Sequence, residues 1–165
     1  MNLLPPTLLL PQQTVAKAGA VLGLTQAAAA FGTRGLLVYG RSLQRSGMLD
    51  AILSEPPFGM SVRTWCHAGG EPTVGAVDAL REELRKNRSD WVAAVGGGSV
   101  IDLAKAAAGL ANAPENTAFY QTNGAAIPPA AIPLIAAPTT AGTGSEVTVV
   151  AVLTDPARNL KQSIR

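Results

Sequence analysis

The 165-residue sequence contains few of the side chains that enzymes use for covalent catalysis or for binding metals. It has one cysteine, Cys66, and one histidine, His67, which excludes an intrachain disulfide and a histidine-rich metal site. The lone thiol is compatible with the cytoplasm, where we expect the protein to work. Aromatic residues make up 4% and the net charge is +2, without a run of Lys or Arg, so nucleic acid is not expected as a partner.

Long uninterrupted apolar runs are also missing. No stretch reaches the length of a membrane span without proline, glycine or charge, which argues against a membrane protein. Residues 1–11 are apolar but have no basic start and contain three prolines, so they do not resemble a signal peptide. With 47% hydrophobic and 15% charged residues, the chain suits one well-packed soluble domain that also contacts further protein, such as a second copy.

What the sequence does contain is an alternation of strand-like and helix-like segments. Strands are predicted at residues 35–39, 61–65, 91–95 and 132–136, with residues 147–153 as an antiparallel or edge addition. Helices are predicted at residues 14–30, 48–53 and 74–86, the last with a solvated face that carries Asp78, Arg81 and Arg85. Residues 113–129 are predicted as a loop. This order predicts an α/β fold, a parallel sheet flanked by helices.

The most informative segment is GGGSVIDLAK, residues 96–105, which joins the strand at 91–95 to a helix. Glycines allow the backbone to approach a ligand closely, and the first N–H groups of the helix point at it with the positive end of the helix dipole. An anionic group such as a phosphate is the expected occupant. A simpler alternative is that Ser99 and Asp102, which have capping-box spacing, only cap the helix.

A second loop rich in glycine and hydroxyl groups, TTAGTGSE at residues 139–146, follows the strand at 132–136. Because the carboxyl ends of parallel strands meet at one sheet edge, both loops are expected to grip the same extended ligand, such as a dinucleotide. The hydroxyl groups would bind its phosphate, ribose or base. The alternative for these threonines is that they only stabilise turns.

Residues 96–105 resemble the GGGSxxDxAK element of the iron-containing alcohol dehydrogenases, and residues 138–148 resemble the family's PTTxGTGSExT element. Residues 71–73, Thr154, Asp155 and Lys161 resemble neighbouring parts of the family pattern. The resemblance covers nearly the whole chain but only the N-terminal half of the family's fold. It implies a single Rossmann-like NAD(P)-binding domain over residues 1–165. The helical second half, which holds iron or zinc through one aspartate and usually three histidines, is absent from this sequence.

The resemblance also transfers binding roles to individual residues. Gly97, Gly98 and Ser99 would contact the pyrophosphate, and Asp102 would lie near the nicotinamide. Many NAD-preferring members carry an aspartate at the position of Gly40, so Gly40 followed by a cation makes NADP an equal candidate. No catalytic or metal-binding residue is assigned. The predicted cofactor-binding residues are Gly40, Arg41, Ser42, Gly97, Gly98, Ser99, Asp102, Thr139, Thr140, Thr143, Ser145, Thr148 and Lys161.

The function that follows is the NAD(P)-binding half of a metal-dependent alcohol dehydrogenase, which transfers hydride between nicotinamide and a small alcohol or its aldehyde. The isolated chain is expected to be inactive. One alternative is a nucleotide-binding fragment or split subunit without turnover. Another is a relative of the maleylacetate reductases or of the dehydroquinate synthases, which share parts of the glycine motif.

Overall fold

The computed structural model describes residues 11–129 and 131–165. The interpretation of the first ten residues therefore lies outside the described residues. The main sheet has four parallel strands in the order β2-β1-β3-β4. Its strands are β1 (Arg34–Gly40), β2 (Ser61–His67), β3 (Trp91–Gly96) and β4 (Leu134–Pro138). Two further strands, β5 (Ala151–Asp155) and β6 (Leu160–Ile164), form a separate antiparallel pair.

Helices connect the strands and cover both faces of the main sheet. They are α1 (Leu24–Ala28), α2 (Arg41–Arg45), α3 (Met48–Leu53), α4 (Val74–Lys86), α5 (Gly98–Gly109) and α6 (Thr117–Asn123). Short 3₁₀ turns at Ala20–Gly23 and Ala29–Phe31 flank α1. This is the expected α/β architecture, a parallel sheet between helices with a small antiparallel addition.

Strand alternation divides the core into two layers, because successive side chains point to opposite faces of a sheet. Leu36, Val38, Val92 and Ala94 belong to one buried cluster with residues of α4, α5 and the β5-β6 pair. Leu37, Tyr39, Ala93 and Val95 belong to a second cluster with residues of α1, α2 and α3. All six residues of β3 are buried, as expected for a central strand of a parallel sheet covered on both faces.

The predicted strands at 35–39, 61–65 and 91–95 and the helices at 48–53 and 74–86 are confirmed. The prediction of one helix over residues 14–30 is wrong: helical structure begins at Ala20, after Gly19 in the left-handed conformation, and includes two 3₁₀ turns. The predicted loop at 113–129 contains α6, whose first turn is capped by the Asn116 side chain accepting from the Phe119 N–H at 2.9 Å.

Two strand boundaries also differ from the prediction. β4 begins at Leu134 because Pro133 has no N–H to donate, although its carbonyl accepts from the Val92 N–H at 2.9 Å. The strand predicted at 147–153 begins only at Ala151, and residues 147–150 belong to the loop before it. Helix α2 and strand β6 were not predicted; α2 is five residues long and carries no apolar period to reveal it.

One face of α4 differs from its predicted role as solvated surface. Arg81 is 3% exposed and donates to the Asp78 carboxylate at 2.7 Å and to the Ala113 carbonyl at 2.7 Å. The same carboxylate accepts from the N–H and hydroxyl groups of Thr117, at the start of α6. The prediction of a solvated Arg81 is wrong because the segment between α5 and α6 crosses this face and offers its carbonyl groups.

Gly35 of β1 lies opposite Trp91 of β3. The Trp91 side chain is fully buried, and a methyl group at Gly35 would lie 2.1 Å from its ring. The indole N–H donates to the Gly32 carbonyl at 3.2 Å, which fixes the ring over this position. Gly35 therefore lets the indole pack against the strand backbone.

We expect Gly35→Ala to destabilise the fold by about 3 kcal/mol, because the added methyl group overpacks the Trp91 site. Gly75→Ala in α4 is the matched control: a methyl group there meets nothing within 4 Å, so stability should be unchanged or rise by about 0.5 kcal/mol. Urea denaturation followed by far-ultraviolet circular dichroism measures both. A Gly35→Ala variant as stable as the original chain would contradict the packing described.

Candidate functional site

A cleft of about 480 Å³ opens at the carboxyl edge of the main sheet. From β1 the chain continues to β2 on one side, whereas β3 pairs with β1 on the other side, so the strand order reverses direction between β1 and β3. Doubly wound sheets bind ligands at such a reversal. The cleft is lined by residues 40, 41 and 45 after β1, residues 67–70 after β2, residues 97–100 at the start of α5, and Thr140 after β4.

The start of α5 forms the floor of this cleft. Gly97 is the N-cap in an extended conformation, and its carbonyl accepts from the Val100 and Ile101 N–H groups at 3.0 and 3.1 Å. No side chain caps the helix, so the capping-box interpretation of Ser99 and Asp102 is wrong. The N–H groups of Gly98 and Ser99 have no carbonyl partner in the preceding turn of the helix, which makes them donors for an anion.

The loop that contains the second glycine motif extends over residues 139–150, up to β5, and folds directly onto this turn. The Thr139 N–H donates to the Gly96 carbonyl at 2.9 Å and so continues the pairing of β3 with β4. A methyl group at Gly98 would lie 3.2 Å from the Ser145 Oγ and from the Thr143 Cβ. The two loops thus meet at one sheet edge, and the absence of a side chain at Gly98 lets them come together.

The charge of the cleft is positive. Arg41 and Arg45 are one helical turn apart on α2 and both line it, whereas none of the lining residues is an Asp or Glu. Within residues 11–129 and 131–165, neither guanidinium has a hydrogen bond or an ion pair. Two unpaired cations and the first amides of α5 therefore face a space that has no compensating carboxylate, which favours an anionic ligand.

The turn after β2 is a third wall that the sequence interpretation missed. His67 is 9% exposed, and its Nε2 lies 3.1 Å from the Gly70 carbonyl, which can only accept, so Nε2 carries the donated proton. Gly69 and Gly70 have φ angles of 103° and 79°, a conformation that favours glycine. The Gly-Gly pair directly after a strand was the available signal. Arg45 was missed because α2 itself was not predicted.

Six of the predicted binding residues line the cleft, namely Gly40, Arg41, Gly97, Gly98, Ser99 and Thr140. Ser42 is exposed on α2 outside the lining, and Thr139, Thr143 and Ser145 are also outside it, on the loop that contacts the glycine turn. Lys161 is on β6, where it pairs with the Glu71 carboxylate. That hydrogen bond, with one from the Thr154 hydroxyl, holds the pKa of Glu71 below its ordinary value.

Asp102 and Thr148 are also outside the lining and have protein partners. Asp102 is 8% exposed; its Oδ2 accepts from the Val152 N–H at 3.1 Å and its Oδ1 lies 3.4 Å from the Lys105 Nζ. The Thr148 hydroxyl lies 3.5 Å from the same ammonium. Burial lowers the pKa of Lys105, against the opposing effect of the Asp102 carboxylate.

Within the described part of the chain, no three His, Cys, Asp or Glu side chains come together to form a metal site. Its helices are all too short or too polar to cross a membrane.

The fold and the cleft define a doubly wound α/β domain with a positively charged sheet edge, and comparison with known proteins gives its family. The chain belongs to the iron-containing alcohol dehydrogenase family, whose model matches residues 11–165. The probable alcohol dehydrogenase EutG of Salmonella typhimurium is 39% identical over 158 residues, which are 94% of this chain and 40% of that protein. Phosphonoacetaldehyde reductase of Streptomyces viridochromogenes is 42% identical over 101 residues, 58% of this chain and 26% of that protein.

Solved structures agree with this assignment. Sulfoacetaldehyde reductase from Bifidobacterium kashiwanohense, solved in complex with NAD+, superimposes with a TM-score of 0.82 at 36% identity. The match covers 90% of this chain and 39% of that structure. The chain thus spans about 40% of the length of the EutG protein and of the sulfoacetaldehyde reductase. The resemblance inferred from the two glycine motifs is confirmed.

We expect Gly98→Ala to weaken NADH binding at least about tenfold, equivalent to 1.4 kcal/mol, because the methyl group pushes Thr143 and Ser145 away from the turn. Gly109→Ala, at the other end of α5, is the control, since a methyl group there makes only an ordinary 3.7 Å contact. Nicotinamide fluorescence gives both affinities. Equal affinities for the two variants would show that the meeting of the loops does not matter for binding.

Proposed function

We propose that this chain is the NAD(P)-binding part of a dehydrogenase that interconverts a small alcohol and its carbonyl compound. The observation that carries the proposal is the cleft in which the first amides of α5, Arg41 and Arg45 surround one space without a carboxylate. A dinucleotide diphosphate has the charge and the length to fill it. The NAD+ bound to the sulfoacetaldehyde reductase structure adds support from a relative with the same fold.

The residues of this chain bind and orient the cofactor. The N–H groups of Gly98 and Ser99 donate to the diphosphate, and Thr140, beside Gly97, offers a hydroxyl group. A bound nicotinamide would supply the redox chemistry, as the acceptor of hydride from the alcohol carbon while the hydroxyl proton is released, or as the hydride donor in the reverse direction. Thr143 and Ser145 contribute by holding the second loop against Gly98.

The family's metal does not fit the described residues of this chain, because they contain no cluster of three suitable ligands. We therefore propose that the metal ligands and the alcohol site belong to a part of the enzyme that corresponds to the remaining length of the relatives. On this proposal the 165-residue chain by itself binds the cofactor without turning over an alcohol.

The cleft favours NADP over NAD in this proposal. A carboxylate after β1 repels a 2′-phosphate, and Gly40 stands at that place in this chain. Arg41 and Arg45, which have no acidic partner in the described structure, would pair with the 2′-phosphate.

The experiment that tests the proposal is a fluorescence titration of the chain with NADH and NADPH. We expect saturable binding in the micromolar range, and at least about tenfold weaker binding by Ser99→Asp, whose carboxylate would face the diphosphate. Ser163→Asp adds the same charge to the exposed side of β6 and should bind like the original chain. Absence of saturable binding would refute the proposed function. Alcohol oxidation by the chain with added iron or zinc would refute the assignment of the metal site to another part of the enzyme.

Cofactor choice is tested by Gly40→Asp, with Gly40→Ala as its steric control. A Cβ at Gly40 would lie 3.5 Å from Val100, an ordinary contact, so the backbone position accepts the Cβ of either residue. Because the aspartate repels the 2′-phosphate, NADPH affinity should fall at least about tenfold while NADH affinity changes little. Equal losses of both affinities in Gly40→Asp would contradict a 2′-phosphate position beside Gly40.

A further inference from the structure

Helix α5 carries a buried ion pair that the cleft does not use. Asp102 and Lys105 are one turn apart, and their side chains are 11% and 15% exposed. Lys105 Nζ lies 3.4 Å from Asp102 Oδ1 but only 2.6 Å from the Val150 carbonyl, its shortest contact. The other carboxylate oxygen, Oδ2, accepts from the Val152 N–H at 3.1 Å. The pair therefore binds two backbone groups at the end of the second glycine loop.

Removing two charges from water costs free energy, and a single backbone contact does not require an ion pair. Here Lys105 supplies a cationic donor for the Val150 carbonyl, and Asp102 supplies an anionic acceptor for the Val152 amide. These two backbone groups are two residues apart on one segment. The Thr148 hydroxyl adds a further oxygen at 3.5 Å from the ammonium. Charge-assisted hydrogen bonds of this kind are stronger than neutral ones, so the segment is held firmly.

The second loop has few other long-range anchors. Its beginning is fixed by the bond from the Thr139 N–H to the Gly96 carbonyl. Inside the loop the bonds are local, from the Val147 N–H to the Gly144 carbonyl and from the Ser145 N–H to the Thr143 hydroxyl. Strand β5, which follows the loop, pairs with β6 and not with the main sheet. The contacts to Asp102 and Lys105 are the hydrogen bonds that join the end of the loop to α5, and the buried side chains of Ala151 and Leu153 belong to the same core cluster as α5.

We propose that Asp102 and Lys105 are positioning residues for the nucleotide: they hold the end of the second loop on α5, so that Thr140, Thr143 and Ser145 stay over the glycine turn. One helix then presents the amides for the diphosphate and fixes the loop that closes over them. This inference rests on the proposed function. It gives Asp102 a role different from the contact with the cofactor implied by the family resemblance, because both of its oxygens are used by the protein.

The test is a double-mutant cycle on NADPH affinity in the 165-residue chain, with Lys105→Met in the original background and in Thr140→Ala. If Lys105 acts through the loop, Lys105→Met should weaken NADPH binding at least about tenfold in the original background. In the Thr140→Ala background, the loss of affinity caused by Lys105→Met should be at least about threefold smaller. Lys86→Met, which removes an exposed lysine of α4, is the control and should leave affinity unchanged in both backgrounds. Lys105→Arg should restore at least half of the lost binding free energy.

Equal effects of Lys105→Met in the two backgrounds, or no effect in either, would overturn the inference. Circular dichroism checks that each variant is folded. If Lys105→Met does not fold, Asp102→Ala replaces it in the same cycle, because it removes the acceptor of the Val152 N–H. Failure of the unmodified chain to bind NADH or NADPH would refute the proposed function, whereas normal binding by both ion-pair variants would refute only the positioning role.

Discussion

The unpaired amide groups at the start of α5 are the feature on which the site depends. A helix cannot satisfy its own first N–H groups, and here the N-cap is Gly97, which offers no side chain to do so. The donors are left at the point where the strand order reverses, beside two arginines without partners in the described structure. The proposed diphosphate would satisfy the amides, and the 2′-phosphate of NADP would pair with the arginines.

The same helix organises most of the surrounding structure. Its N-terminal turn faces the cleft, its middle carries the Asp102–Lys105 pair, and its buried face packs on β3 and α4. A small residue permits this arrangement, because Gly98 leaves room for Thr143 and Ser145. On the proposed function, cofactor affinity and stability are coupled through α5, because displacement of this helix changes the proposed diphosphate donors and the loop together.

The sequence predicted the features that depend on local pattern. Buried parallel strands such as β3 are continuous apolar runs, and the two glycine loops follow strands directly, so their common edge could be inferred. It did not predict features decided by distant neighbours. Arg81 was predicted as a surface charge, but it donates to the Ala113 carbonyl. Asp102 was predicted as a helix cap or a cofactor ligand, but it accepts from the Val152 N–H. Helix α2 is too short to show a hydrophobic period, so the sequence did not predict it or the position of Arg45 in it.

Amide chemical-shift mapping of the chain on addition of NADPH tests the central claim most directly. The account predicts the largest shifts at the N–H groups of Gly98, Ser99 and Thr140, at the carboxyl edge of the sheet. The N–H groups of Thr33 and Arg34, which donate to Asp90 at the opposite edge, should stay in place. Large shifts at that opposite edge with unmoved signals from Gly98 and Ser99 would contradict the account.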